Sequence, residues 1–388
     1  MKDQILSIVA EFDTPCYVYD QALIERNVER FRSVAYPDKA IHFASMANNN
    51  PMLMAMLKEA GFGIFVNSVK HLQIALESGF APRDIIYTST GVRRQDMEHI
   101  VERGIAINLD SVSQLDLYGS LDPGGSVGVR LNIEEHSLGN VFVGTQSRIG
   151  VLETEFPAVH DTAARHGLRV AGTHVYLGTN IVSLDTMLAG VERTLELSER
   201  FPELRSVDLG GGFPVAGADG LTFDYASYDR RITEVFERFS QRLGRRIQLV
   251  LEPGRALFGD TAVFCTRVLD VKERPDRFLV CCDASVSLFP RPMFYDEYHD
   301  VVVHGREHEP PAPKPVDVVG ATTYSRDFLG RKLRLPPVEI GDVLVFQNAG
   351  SYCYSMITQF LGQAAPSEVL VTRSGEPRLI RDREAVLV

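Results

Sequence analysis

The sequence predicts an α/β protein, a (β/α)8 or TIM barrel followed by a C-terminal antiparallel β-domain. Three observations carry that expectation. Between about residues 40 and 255 short β-rich runs alternate with longer segments of helical period, the order expected of βα units. The runs number eight, enough to close a barrel. Past Ala256 the long amphipathic segments stop, and β-branched and aromatic runs follow one another directly.

The eight runs are Ala40–Ser45, Gly63–Ser68, Asp84–Ser89, Ala106–Ser111, Val127–Ile133, Arg169–Gly178, Ser206–Gly210 and Ile247–Glu252. Amphipathic stretches such as Pro51–Ala60, Val69–Gly79, Arg94–Arg103, Leu184–Phe201 and Asp224–Leu243 separate them, each long enough to return the chain for another parallel strand. The later runs are Thr261–Val271, Arg277–Cys282, Asp300–Val303, Val316–Val319, Asp342–Phe346, Glu368–Val371 and Arg378–Ile380. Cys16–Tyr19 reads as a strand ahead of the barrel, free to join this second sheet. Glu309–Pro315 (EPPAPKP) reads as a surface loop of polyproline character.

With 388 residues, 45% of them apolar, the chain can fill a barrel core and a second, smaller unit. The expected boundaries are residues 25–260 for the barrel and 261–388, with 1–24, for the β-domain. A formal charge of −11 and the lack of a basic run argue against a nucleic-acid partner. No apolar run is long enough to cross a bilayer, and Met1–Ala10 lacks a basic start, so the expected location is the cytoplasm. The five cysteines form no CxxC pair and no zinc-type spacing, so neither a disulfide framework nor a metal is expected.

Barrel active sites lie at strand C-termini. Run seven leads into Asp208-Leu209-Gly210-Gly211-Gly212, where consecutive glycines let backbone N–H groups approach an anion. Taken alone this is better read as a flexible turn. Run eight leads into Glu252-Pro253-Gly254-Arg255, and the pair of loops after strands seven and eight is where barrels bind phosphate. Run six carries His174, with Tyr176 and Asn180 following, in a position to stack on a flat ring at the same mouth.

These landmarks, together with Thr14–Asp20, Phe43–Pro51, Ser147–Gly150, Asp283–Tyr295, Gly320–Asp327 and Asn348–Ser355, resemble the fold-type III, alanine-racemase-like pyridoxal-phosphate decarboxylases that act on diaminopimelate, ornithine and arginine. The resemblance runs over nearly the whole chain. It implies that His174 stacks on the pyridine ring, that Glu252 keeps the ring nitrogen protonated, and that Gly210, Gly211, Gly212, Arg255 and Tyr352 hold the phosphate of pyridoxal 5'-phosphate. It places Arg291 and Tyr295 at the distal end of an amino-acid substrate. Arg291, Arg148 and Arg326 would suit a further carboxylate on it, or equally be surface ion-pair partners, and Asp327 is another candidate substrate contact. It also implies a homodimer whose Gly320–Asp327 loop enters the partner's site.

The chain departs from the family where the family's Schiff-base lysine should stand, at Met46, and a thioether cannot form an imine. Phe65 replaces an acidic residue, His71 a glutamate, and Thr323-Tyr324 a Cys-Glu pair. A single engineered Lys→Met exchange would leave those neighbours unchanged, so a natural, coordinated loss is the favoured explanation. Thr323 is too weak an acid to replace a thiol, which leaves His71 and Tyr324 as candidate proton donors. Lys70 follows run two where a helix should begin, and is expected to point outward.

Three functions remain open on this reading: an amino-acid decarboxylase-like lyase that holds pyridoxal phosphate non-covalently, a cofactor-independent enzyme reusing the pocket, and a catalytically silent binding or regulatory homologue. The retained Glu252 favours the first, because burying a carboxylate is costly without a cationic partner.

Overall fold

The computed structural model describes residues 2–134, 142–215, 223–297 and 299–384. The chain divides into two compact units, Val28–Ala256 and Met1–Asn27 with Leu257–Val388.

The first unit is a closed parallel barrel of eight strands: β2 (Lys39–Ala44), β3 (Gly63–Val66), β4 (Ile85–Thr88), β5 (Ala106–Leu109), β6 (Ser126–Arg130), β7 (Arg169–His174), β8 (Ser206–Asp208) and β9 (Gln248–Leu251), with β9 pairing back to β2. Each begins within about a residue of its predicted run and stops one to four residues short of the run's end. Among those last residues the polar Ser45, Ser68, Ser89, Asp110, Asn132 and Glu252 lie in the loops of the barrel mouth. Strand residues such as Phe43, Ile64, Val66, Ile107, Leu109, Val129, Val207, Leu249 and Leu251 are buried, as expected where helices cover the outside and side chains fill the inside.

Between the strands lie helices Pro51–Glu59, Val69–Glu77, Arg94–Glu102, Val112–Leu121, Phe156–His166, Leu184–Ser198 and Tyr225–Arg242. Several start on a residue built to cap them. Asn50 accepts from the Met52 N–H ahead of Pro51, Ser68 from His71, Ser111 from Gln114, Ser183 from Thr186 and Asp224 from Ser227. Such caps fix where each strand-to-helix turn ends, and so fix the mouth.

The second unit is a nine-stranded sheet of β1 (Cys16–Asp20), β10 (Ala262–Glu273), β11 (Phe278–Cys282), β12 (Val301–Val303), β13 (Val316–Val319), β14 (Phe328–Leu333), β15 (Val343–Phe346), β16 (Ser367–Val371) and β17 (Pro377–Arg381). The path runs β14-β13-β11-β10-β1-β16-β17, and β15 pairs with both β10 and β12. The amino-terminal strand does join this sheet: Cys16 faces Cys265 across an antiparallel pair and Ser367 across a parallel one. Because β1–β16 and β11–β13 run parallel, the sheet is mixed within a mostly antiparallel frame. Strand direction is set by connection length, and apolar patterning carries no trace of it.

Helices Ile5–Phe12 and Gln21–Arg32 and strand β14 are among the elements that escaped the sequence reading. Helix Ile5–Phe12 packs Ile5, Ile8 and Val9 on Val18, Val263, Val345 and Val369. Strand β14 was hidden by Gly330 and the basic residues Arg331 and Lys332.

Candidate active site

Backbone hydrogen bonds lock the loops of the barrel mouth to one another. Ala44 donates to the Pro253 carbonyl at 3.2 Å, Ser45 to Phe65 at 3.0 Å, Glu252 to Gly210 at 2.8 Å and Ile181 to Gly212 at 2.9 Å. Gly254 lies against Ala44 and Ala47; an added Cβ there would sit 3.1 Å from either methyl. Met46 is therefore in the turn that touches the Glu252–Arg255 loop, and it is half-buried.

The glycine run is built tightly. Gly210 and Gly212 have φ of +64° and +90°, and added Cβ atoms at Gly210, Gly211 and Gly212 would fall 2.5, 2.7 and 2.9 Å from the carbonyl oxygens of Val175, Glu252 and Gly178. No L side chain fits that packing. The Gly210 N–H donates to Asp208 Oδ1 at 2.9 Å, while no described residue accepts from the N–H of Gly211 or Gly212. Two backbone donors are thus presented at the strand ends, as a phosphate cradle requires.

Beneath them lies a buried polar cluster. His174 at the end of β7, Asp208 at the end of β8 and Glu252 just past β9 are 1%, 4% and 4% exposed. A ring nitrogen and carboxylate oxygens from the three lie within 4.8 Å of one another. His174 Nε2 is 3.3 Å from Glu252 Oε2, whereas no described N–H or hydroxyl reaches Glu252 Oε1, Asp208 Oδ2 or His174 Nδ1. Burial holds the imidazole pKa down to about 4, so His174 is neutral, and raises Glu252 to about 7. Burial first, then the neighbouring Glu252, drives Asp208 well above the usual carboxylate range.

The Phe65 ring lies parallel to the imidazole, 9° between planes and 6.1 Å between centroids, an offset stack that fixes the plane of His174. His71 Nδ1 is 3.3 Å from Ser45 Oγ and 3.1 Å from Asn67 Oδ1, beside the Met46 turn, and burial lowers its pKa. Lys70, in the first turn of helix Val69–Glu77, is exposed. Arg148 is exposed, its Nη1 at 3.4 Å from Thr90 Oγ1.

Sequence reading passed over Arg130 and Asp110, which pair at 3.1 Å with side chains 12% and 4% exposed. The Arg130 charge acts on both His174 and Glu252. The rule that strand-end polar residues line the mouth could have found both; Arg130 was masked by the apolar residues around it in Val127–Ile133.

The remaining predicted residues belong to the second unit. Arg291 is 1% exposed and ion-paired with Glu297, yet its Nε and Nη1 meet no described acceptor. Tyr295 is 59% exposed and lies under the Arg291 guanidinium at 5.8 Å. Asp327 is buried and accepts from the Val286 and Thr322 N–H groups and the Thr322 hydroxyl, which makes it the tie of its own loop. Thr323 is exposed, Tyr324 packs edge-on against Phe360, and Tyr352 has a left-handed φ of 55°.

A closed parallel barrel with a glycine-lined rim and buried acids at its strand ends defines a TIM-barrel protein of the small-molecule-binding kind. A family model described as the pyridoxal-binding domain of pyridoxal-dependent decarboxylases matches residues 21–259. The chain belongs to that family. It is 32% identical over 396 residues to the diaminopimelate decarboxylase of Methanothermobacter thermautotrophicus, covering 98% of this chain and 91% of that one. Identity to the Escherichia coli K12 diaminopimelate decarboxylase is 28%, over 99% and 94% of the two chains. A crystal structure of diaminopimelate decarboxylase superposes with a TM-score of 0.91 at 27% identity, covering 99% of this chain and 94% of that one.

Proposed function

We propose that this chain is an amino-acid decarboxylase-like lyase that holds pyridoxal 5'-phosphate at the barrel mouth without a covalent bond. One observation supports this above the others: Glu252 is a buried acid with an oxygen that no described N–H or hydroxyl reaches. A protonated ring nitrogen is the partner such a group lacks. The unengaged N–H groups of Gly211 and Gly212 suit the phosphate, with Arg255 of the same unit as its cationic contact. The residues present therefore fit the cofactor.

When bound, pyridoxal phosphate supplies the electron sink for the pair left as the substrate carboxylate departs as CO2. Met46 offers no amine, so retention of the cofactor rests on the glycine loop, Glu252 and the face of His174. A neutral His174, held flat by Phe65, stacks without adding charge beside the ring. His71 moves the proton: an amide oxygen only accepts, so Nδ1–H stays on Asn67 and Nε2 is the exchanging atom. Tyr324 and Thr323 come second to it, from a loop we assign to the partner's site in a homodimer. Arg148 we assign to a second acidic group on the substrate.

Titration of the purified protein with pyridoxal phosphate tests the reading. We expect saturable binding that dialysis reverses, and no added mass on any lysine after borohydride. Gly211→Val and Arg255→Ala should each weaken binding roughly tenfold or more. Cofactor fixed to Lys70, or no binding at all, would overturn it. His71→Asn should leave cofactor binding intact and lower turnover by about a hundredfold or more.

A further inference from the structure

The Asp208–Glu252 contact goes beyond cofactor binding as such. Both side chains are 4% exposed, and Asp208 Oδ2 and Glu252 Oε1 meet no described donor. An oxygen of each carboxyl lies within 4.8 Å of the other, and two carboxylates so close in a buried site cannot both be ionised, so one of them holds a proton. Asp208 Oδ1 is already committed, accepting the Gly210 N–H at 2.9 Å. The side chain therefore has one oxygen on the glycine loop and a hydroxyl free for its neighbour.

We infer that Asp208 is a positioning residue kept as a carboxylic acid, which donates to Glu252 while accepting from Gly210 and so braces the ring-facing carboxylate and the phosphate-facing loop as one body. The assignment rests on the proposed pyridoxal phosphate site for its purpose and on the carboxyl contact for its chemistry. Three described groups face the pair. His174 on β7 is neutral and places Nε2 at Glu252 Oε2. Arg130 at the end of β6 acts on Glu252 and favours its ionised form. Asp110, after β5, is held by Arg130 at 3.1 Å. The acid on the glycine-loop side thus keeps the proton, and the one facing the ring carries the charge.

The bracing differs from simple packing in needing a donor at Oδ2. Asn supplies the same two contacts, an amide N–H toward Glu252 and a carbonyl toward Gly210, without a proton to lose. Infrared difference spectra of the cofactor-free protein should show the carbonyl stretch of a buried carboxylic acid at neutral pH, absent from D208N. D208N should bind pyridoxal phosphate within about threefold of the parent, whereas D208A should lose roughly tenfold or more, the worth of a hydrogen bond to a charged group. Parent affinity should fall in alkaline buffer as the shared proton leaves, and D208N affinity should not.

An acid band that persists in D208N, or an alkaline fall unchanged in D208N, would overturn the inference. Should D208N fail to fold, E252Q decides: its amide donates to Asp208, and the acid band should vanish as Asp208 ionises; a band that stays refutes the brace. The infrared result needs no cofactor, so it stands or falls separately from the binding reading.

Discussion

At the residue scale, buried titratable groups dominate, and their effects on stability have opposite signs. His42 is 8% exposed, with Nδ1 unpartnered among the described residues, and burial alone lowers its pKa to about 4. A depressed imidazole pKa means that its share of stability is complete above the free value of 6.5 and is lost as pH falls toward about 4. That share is on the order of 3 kcal/mol. Urea midpoints should decline across this window, and His42→Phe should remove part of the slope. Asp208 acts oppositely: its raised pKa contributes most below the free value of 3.8, and the contribution disappears as pH rises through the raised value. D208N should flatten that upper limb. His174 and Glu252 were legible in the sequence because they end strand runs. The protonation of Asp208 was not, because it depends on a contact between side chains from two different strands.

At the element scale, the glycine loop shows how far a motif can be read. Three glycines announced a close backbone approach, but not which N–H groups stay unengaged, since that follows from Asp208 capturing Gly210. The packing makes a sharp forecast. Gly210→Ala puts a Cβ at φ +64° and 2.5 Å from the Val175 carbonyl. It should cost about 2–4 kcal/mol in chemical denaturation, besides weakening the cofactor. Gly124→Ala, also at positive φ but in open space, should cost only about 1 kcal/mol. The eight barrel strands were legible because both faces are buried and their runs are densely apolar. Strand β14 was not, because Arg331 and Lys332 are exposed and Gly330 interrupts the pattern.

At the scale of the whole molecule, sequence patterning gave the order of elements but not their directions in the second sheet. β1 lies between β10 and β16, with Tyr17 and Val18 wholly buried. Removing residues 2–20 would strip a central strand, so the truncated protein should show cooperative loss of sheet signal by circular dichroism rather than local fraying. Sedimentation of the full chain checks the proposed homodimer, for which a monomer at micromolar concentration would count against shared sites.

The place of β1 also bears on biosynthesis. Residues 16–20 leave the ribosome before the other strands of the barrel and sheet described above, yet their partners are at 262–265 and 367–371. The barrel segment can emerge and close while this opening strand still has two bare edges. For most of translation the nascent chain therefore exposes a short, apolar, pairing-competent ribbon. Slowing synthesis should lengthen that exposure and increase the chain's dependence on chaperones.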